Sequence, residues 1–141
     1  MTLKPWLARA LRRTLLLTGM VLGAEALLYR ALHALPDLPP ADVDRVQVST
    51  WDGFSYEIHD AAVVARAAGF ARSLDGRWMR LPELVGAPQM PRATFYRGDQ
   101  GHGWIAWNAE VAVVPAGRDY AVFPLRPGQG AELDRLLGLR Y

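Results

Sequence analysis

The hydrophobic pattern changes period several times along the chain. From Thr14 to Tyr29 the run TLLLTGMVLGAEALLY is apolar on every side of a helix and carries one charge, Glu25. Arg12 and Arg13 precede it, and the pattern runs on to Leu35, where Pro36-Asp37-Leu38-Pro39-Pro40 stops any helix. Sixteen residues at ~1.5 Å each give about 24 Å against a ~30 Å hydrocarbon core, so a span needs snorkelling arginines at its ends. Six leucines offset the off-centre glutamate. The expectation is a single transmembrane signal-anchor helix over 14–35, with a short cytoplasmic stub before it. Two other readings stand beside it. Ala24-Glu25-Ala26 offers an A-x-A cleavage site that would release a soluble chain, and the run also fits a buried helix of a soluble protein.

The helix has two notable stripes at 100° per residue. Gly19, Gly23 and Ala26 form a G-x-x-x-G ridge that lets a second backbone approach. Glu25 falls with Thr14, Thr18 and Tyr29 on another stripe, turned towards a partner or water. Gly19, Gly23 and Glu25 are therefore the candidate helix-packing residues. Residues 36–42 read as a short, stiff proline-rich stem, and residues 43–141 as one domain.

Within that domain, Arg45–Thr50 and Phe54–His59 alternate with period two around Trp51-Asp52-Gly53. A two-residue Asp-Gly turn would pair Val48 with Glu57 and mix apolar and polar residues on both faces. A three-residue loop with Gly53 in the left-handed conformation shifts the register by one. Val46, Val48 and Thr50 then share a side with Ile58, Tyr56 and Phe54, while Gln47, Ser49, Ser55, Glu57 and His59 share the other. The second register is adopted. Asp60 then caps a helix over 61–75 with Val63, Ala67, Phe70 and Leu74 in one stripe, ended by Gly76. A long connection, 77–91, is pinned by Trp78, Met79, Leu81 and Leu84. Strands follow at 93–97, 104–108, optionally 111–114, and 120–125, and a last helix at 131–139 offers Leu133, Leu136 and Leu137. The fold class is α+β, of order ββαβββ(β)α, with both helices on one face of an antiparallel sheet.

Charge divides the chain. Residues 1–35 hold five cations against one acid, a net of +4, whereas residues 36–141 hold 11 arginines against 13 acids, a net of −2. The basic balance belongs to the N-terminus, which predicts that the N-terminus stays cytoplasmic and the domain is exported across a bacterial inner membrane. A nucleic-acid partner is disfavoured because the domain has no clustered positive face. Cysteine is absent, which excludes disulfides, thiolate metal sites and cysteine nucleophiles.

Candidate chemistry is sparse. Gly98–Gly103 joins two strands and lacks Lys-Ser/Thr, so it reads as a hairpin loop, not a phosphate cradle. His33, His59 and His102 show no helical ligand spacing, and no metal or other cofactor is expected. Ser49, Ser55 and Ser73 stand in no nucleophile elbow. Glu57 and His59 share one strand face; with Asp99 and His102 brought near, they are the weak catalytic candidates of a small hydrolase. Trp104 and Trp107, three apart, point to opposite faces of a strand, and Trp51 sits in a turn. These three are the candidate partner-binding residues, since surface aromatics anchor interfaces. The favoured expectation is a membrane-tethered envelope module that binds or inhibits a protein partner, with helix–helix association through Gly19 and Gly23.

Overall fold

The computed structural model describes residues 4–32, 35–82 and 89–140, with side chains for all but 29–32. Leu84 and His33, singled out above, lie outside the described residues, as do the side chains of Tyr29 and Arg30. Two units result: residues 1–34 and residues 35–141.

The first unit is one helix, α1, Pro5–Leu32. Pro5 stands at the first helical position, where its missing N–H is harmless, and the Lys4 carbonyl accepts from the N–H groups of Leu7 and Ala8. Alanine and leucine carry the rest by propensity. Every described side chain from Lys4 to Leu28 is exposed. No helix among the described residues is long and apolar enough to cross a membrane. Arg13 and Glu25 are separated by eleven residues, about 16 Å of helix.

The second unit opens with the hairpin β1 (Arg45–Ser49) and β2 (Ser55–Ile58). Its register is Val46 to Ile58, Gln47 to Glu57, Val48 to Tyr56, the shifted one, with Gly53 at φ +85°. Val46 and Val48 are fully buried. Asp60 caps α2 (Ala61–Arg72), its carboxylate accepting from the N–H groups of Ala62 and Val63. The face of α2 differs from expectation by about one residue: Val64, Ala67, Ala68 and Ala71 are buried, and Val63, Phe70 and Leu74 flank them. Three alanines let the helix lie close to the sheet, so the small residues take the contact line. The helix also ends earlier, at Ser73, whose hydroxyl donates to the Phe70 carbonyl at 2.7 Å.

Within the expected long connection lies a strand, β3 (Met79–Leu81), paired with β7 at one sheet edge. Three residues are too few for alternation to reveal. β4 (Arg92–Arg97), β5 (Gln100–Trp107), β6 (Val111–Ala116) and β7 (Asp119–Pro124) complete one antiparallel seven-stranded sheet in the order β2-β1-β4-β5-β6-β7-β3. The order of elements is thus ββαβββββα, with α3 (Gln129–Leu137) last. The glycine-rich loop is shorter than expected. Arg97 pairs with Gln100, so Gly98-Asp99 alone makes the turn, and a bulge with Gly103 at φ +92° follows inside β5.

Both helices of this unit pack on one face. Phe95, Ile105, Trp107, Val114 and Phe123 meet the buried lines of α2 and α3 there. The proline-rich residues do not form a separate stem but lie against the domain. Asp37 donates its N–H to the Pro115 carbonyl at 2.7 Å, and Pro39 is fully buried.

Two substitution pairs test this packing. Val48→Asp puts an uncompensated charge in the core and should lose several kcal/mol of stability, while Ser49→Asp, opposite Arg92, should be nearly silent. Comparable melting losses in both would overturn the face assignment. A Cβ on Gly130 would sit 2.4 Å from the Asn108 carbonyl oxygen, whereas one on Gly69 in α2 meets nothing. Gly130→Ala should therefore destabilise by ~1–3 kcal/mol, and Gly69→Ala should stabilise by roughly 0.5–1 kcal/mol; denaturant titration reads both.

Candidate functional site

The polar side of β2, β1 and β4 holds a small ion-pair network. Alternation puts Arg45, Gln47 and Glu57 on the side opposite Val46 and Val48. One Glu57 oxygen accepts from Arg45 at 2.8 Å, and the other lies 3.0 Å from His59 Nε2. The Arg45 guanidinium also donates to the Gly98 carbonyl at 3.2 Å and stacks 4.4 Å above the Tyr96 ring. Tyr96 donates its hydroxyl to Gln47 Oε1 at 3.2 Å. Glu57 is thus already neutralised by an arginine, and His59 is mostly in solvent. The serines on this side, Ser49 and Ser55, face each other, and Ser55 lies four residues from His59, roughly 13 Å along the strand.

The four catalytic candidates fall into separate places. His59 follows β2 and His102 lies on β5, three strand spacings or roughly 14 Å away. Asp99 occupies the β4–β5 turn. His102 instead lies near Asp42, which pairs with Arg97. The hydrogen bond from Arg97 holds the Asp42 carboxyl below the usual carboxylate range, helped by the nearby His102. His102 Nε2 is buried and has no hydrogen-bond partner. Among the described residues no three of His, Asp and Glu group closely enough to hold a metal ion. The four principal cavities, about 270–400 Å³, are lined by other residues.

The three tryptophans part company. Trp107 is fully buried, its indole N–H donating to Asp134 at 2.8 Å. That corrects its placement among partner-binding residues, because it presents no surface. Trp104 lies on the opposite sheet face, half-buried with Ala106, Val113 and Val122. Tyr120 meets it edge-on at 5.7 Å and the Arg92 guanidinium covers it at 4.2 Å. Trp51 alone projects, 66% exposed, and Phe54 beside it is 64% exposed. Phe54 was not singled out from sequence, since alternation assigned it to the inner side; strand pairing stops short of it. The pair is held by a tight turn. Thr50 donates its N–H to the Phe54 carbonyl at 2.8 Å, and Gly53 donates to the Thr50 carbonyl at 3.1 Å. The Thr50 hydroxyl donates to the Asp52 carboxylate. Gly19, Gly23 and Glu25 are exposed on α1, with open space where either glycine would carry a side chain.

The turn has a pH signature. The Thr50 hydroxyl, and secondarily the Phe54 N–H, hold the Asp52 carboxyl below its ordinary 3.8. Because the folded value is the lower one, the turn's stabilisation is complete above pH 3.8 and is lost as pH falls through the folded value. An NMR titration should show Asp52 titrating below 3.8 in the native chain and returning towards it in Thr50→Val. An unchanged midpoint in the variant would remove the Thr50 hydroxyl as the cause.

The chain matches no protein-family model, no curated protein and no solved structure.

Proposed function

We propose that the protein is a non-enzymatic binding module, tethered to a membrane by α1, whose exported domain docks on a protein partner through the Trp51/Phe54 tip. The observation that carries this reading is the tip itself. Two large aromatic side chains, each about two-thirds exposed, stand on a turn fixed by three hydrogen bonds. Intramolecular burial gives them little. A rigid exposed aromatic pair loses little conformational freedom on binding, and such residues dominate interface energetics.

Tethering rests on α1. Its described apolar side chains are exposed, and its leading flank carries Lys4, Arg9, Arg12 and Arg13. Under the positive-inside rule that flank stays cytoplasmic and the chain from residue 36 onward is exported across a bacterial inner membrane. Gly19 and Gly23 are the positions at which a second helix would pack against this anchor. No observation favours the hydrolase reading of Glu57 and His59, whose network is solvated and stands apart from the cavities.

Trp51→Ala separates docking from a structural role. The variant should melt within about 0.5 kcal/mol of wild type, as ordinary surface changes do. A photo-crosslinking amino acid at position 51 or 54 should give one discrete protein adduct in cells, and one at Ala65, exposed on α2, should not. A stability loss of ~3–5 kcal/mol would make Trp51 a packing residue. Absence of an adduct at both tip positions would overturn the docking reading.

A further inference from the structure

The helix α1 is made of two chemically different parts. Residues 4–13 hold Lys4, Arg9, Arg12 and Arg13, and the first acid of the chain is Glu25. At 100° per residue Arg9, Arg12 and Arg13 fall within one arc of about 100°, and Trp6, Leu7, Ala10 and Leu11 fall outside it, together with Lys4. From Thr14 to Leu28 the helix is instead apolar all round, apart from Glu25. Its two threonines donate their hydroxyls to carbonyls of the helix itself, Thr14 to Ala10 at 3.0 Å and Thr18 to Thr14 at 2.8 Å. That satisfies both groups without water. Exposure runs along the whole element, Trp6 at 65% and Leu22 at 60% included.

We infer that the basic first part of α1 is a receptor for anionic phospholipid headgroups, with Arg9, Arg12 and Arg13 at the phosphates, Trp6 at the interface and Thr14–Leu28 in the acyl layer. This rests on the tethering reading above and names the lipid chemistry it selects. Charge complementarity decides the occupant. Four cations with no acid among them repel the same stretch of a parallel second copy, since like charges on neighbouring helices are unfavourable. A negatively charged bilayer surface attracts each of them, and an indole sits well at its boundary with the hydrocarbon. The glycine ridge lies C-terminal to the arginines, so helix pairing inside the bilayer and headgroup binding at its surface use different residues.

The test is flotation of the full chain with vesicles of pure phosphatidylcholine and with vesicles also containing phosphatidylglycerol. Binding should favour the anionic vesicles by roughly a hundredfold, about fivefold for each of Arg9, Arg12 and Arg13. Replacing Arg9, Arg12 and Arg13 together by Gln, which keeps helix propensity, should remove most of that preference but leave binding to neutral vesicles unchanged. Raising salt from ~0.1 M to ~1 M shrinks the screening length from ~10 Å to ~3 Å and should do the same. Equal binding of wild type to both vesicles would overturn the headgroup inference and leave the tether standing. Binding to neither would overturn both. A preference that survives the triple substitution would assign it to other residues and overturn the inference too. The unfolding transition of the domain, measured alongside, should be the same in every variant.

Discussion

Trp104 and Trp107 stand three residues apart on β5, so a pleated strand must aim them at opposite faces. A sheet carrying a large aromatic on each face has two surfaces to cover, and it meets them by different means. On one side α2 and α3 cover Trp107, whose indole N–H would be orphaned there without Asp134. Gly130 makes that possible, because α3 enters so close to Asn108 that a single methyl would strike its carbonyl. Among the described residues of this unit no helix packs on the other side. Trp104, Tyr120 and Arg92 shield Ala106, Val113 and Val122 from water themselves, with Met90 and Leu81 at the margin. Met90, just before β4, packs on this same face.

Much of this frame is legible in the amino-acid order. The hairpin register follows from a single comparison of faces, since only a three-residue loop keeps Val46 and Val48 with Tyr56 and Ile58. Asp60 announces α2 by its chemistry, and the opposed tryptophans announce a two-faced sheet. What escapes does so for physical reasons. β3 is a three-residue edge strand, and its pairing with β7 is a tertiary event with no periodic trace. In α2 the choice between Val63 and Val64 as the inward residue depends on how closely alanines let the helix approach, which spacing alone does not fix. Asp134 carries no local signal either; it is needed because an indole elsewhere in the chain is buried.

The candidate site follows the same division. Glu57 and His59 were paired by strand alternation, and they do meet, but alternation says nothing about depth. A strand at a sheet edge presents its polar side to water, so the pair becomes part of a solvated network held by Arg45. Asp99 and His102 could be brought to it only by folding, and a sheet keeps its strands at fixed spacing. His102 is separated from His59 by two intervening strands. It lies instead near Asp42, which pairs with Arg97.

Where apolar surface remains exposed is then informative, because this chain covers both faces of its sheet. A domain that shields Val122 with an arginine–aromatic stack leaves Trp51 and Phe54 outside on a hydrogen-bonded turn. The same contrast holds at the level of the chain. From Leu38 onward the described leucines and valines are buried or half-buried, whereas the described leucines of α1 are exposed. Its threonine hydroxyls are already satisfied, and four of the five cations of residues 1–35 stand before Thr14. In the proposed reading a bilayer supplies an apolar medium along this helix and an anionic surface at its start. On that proposal, protein contact at the tip and lipid contact at the helix would use surfaces on separate units.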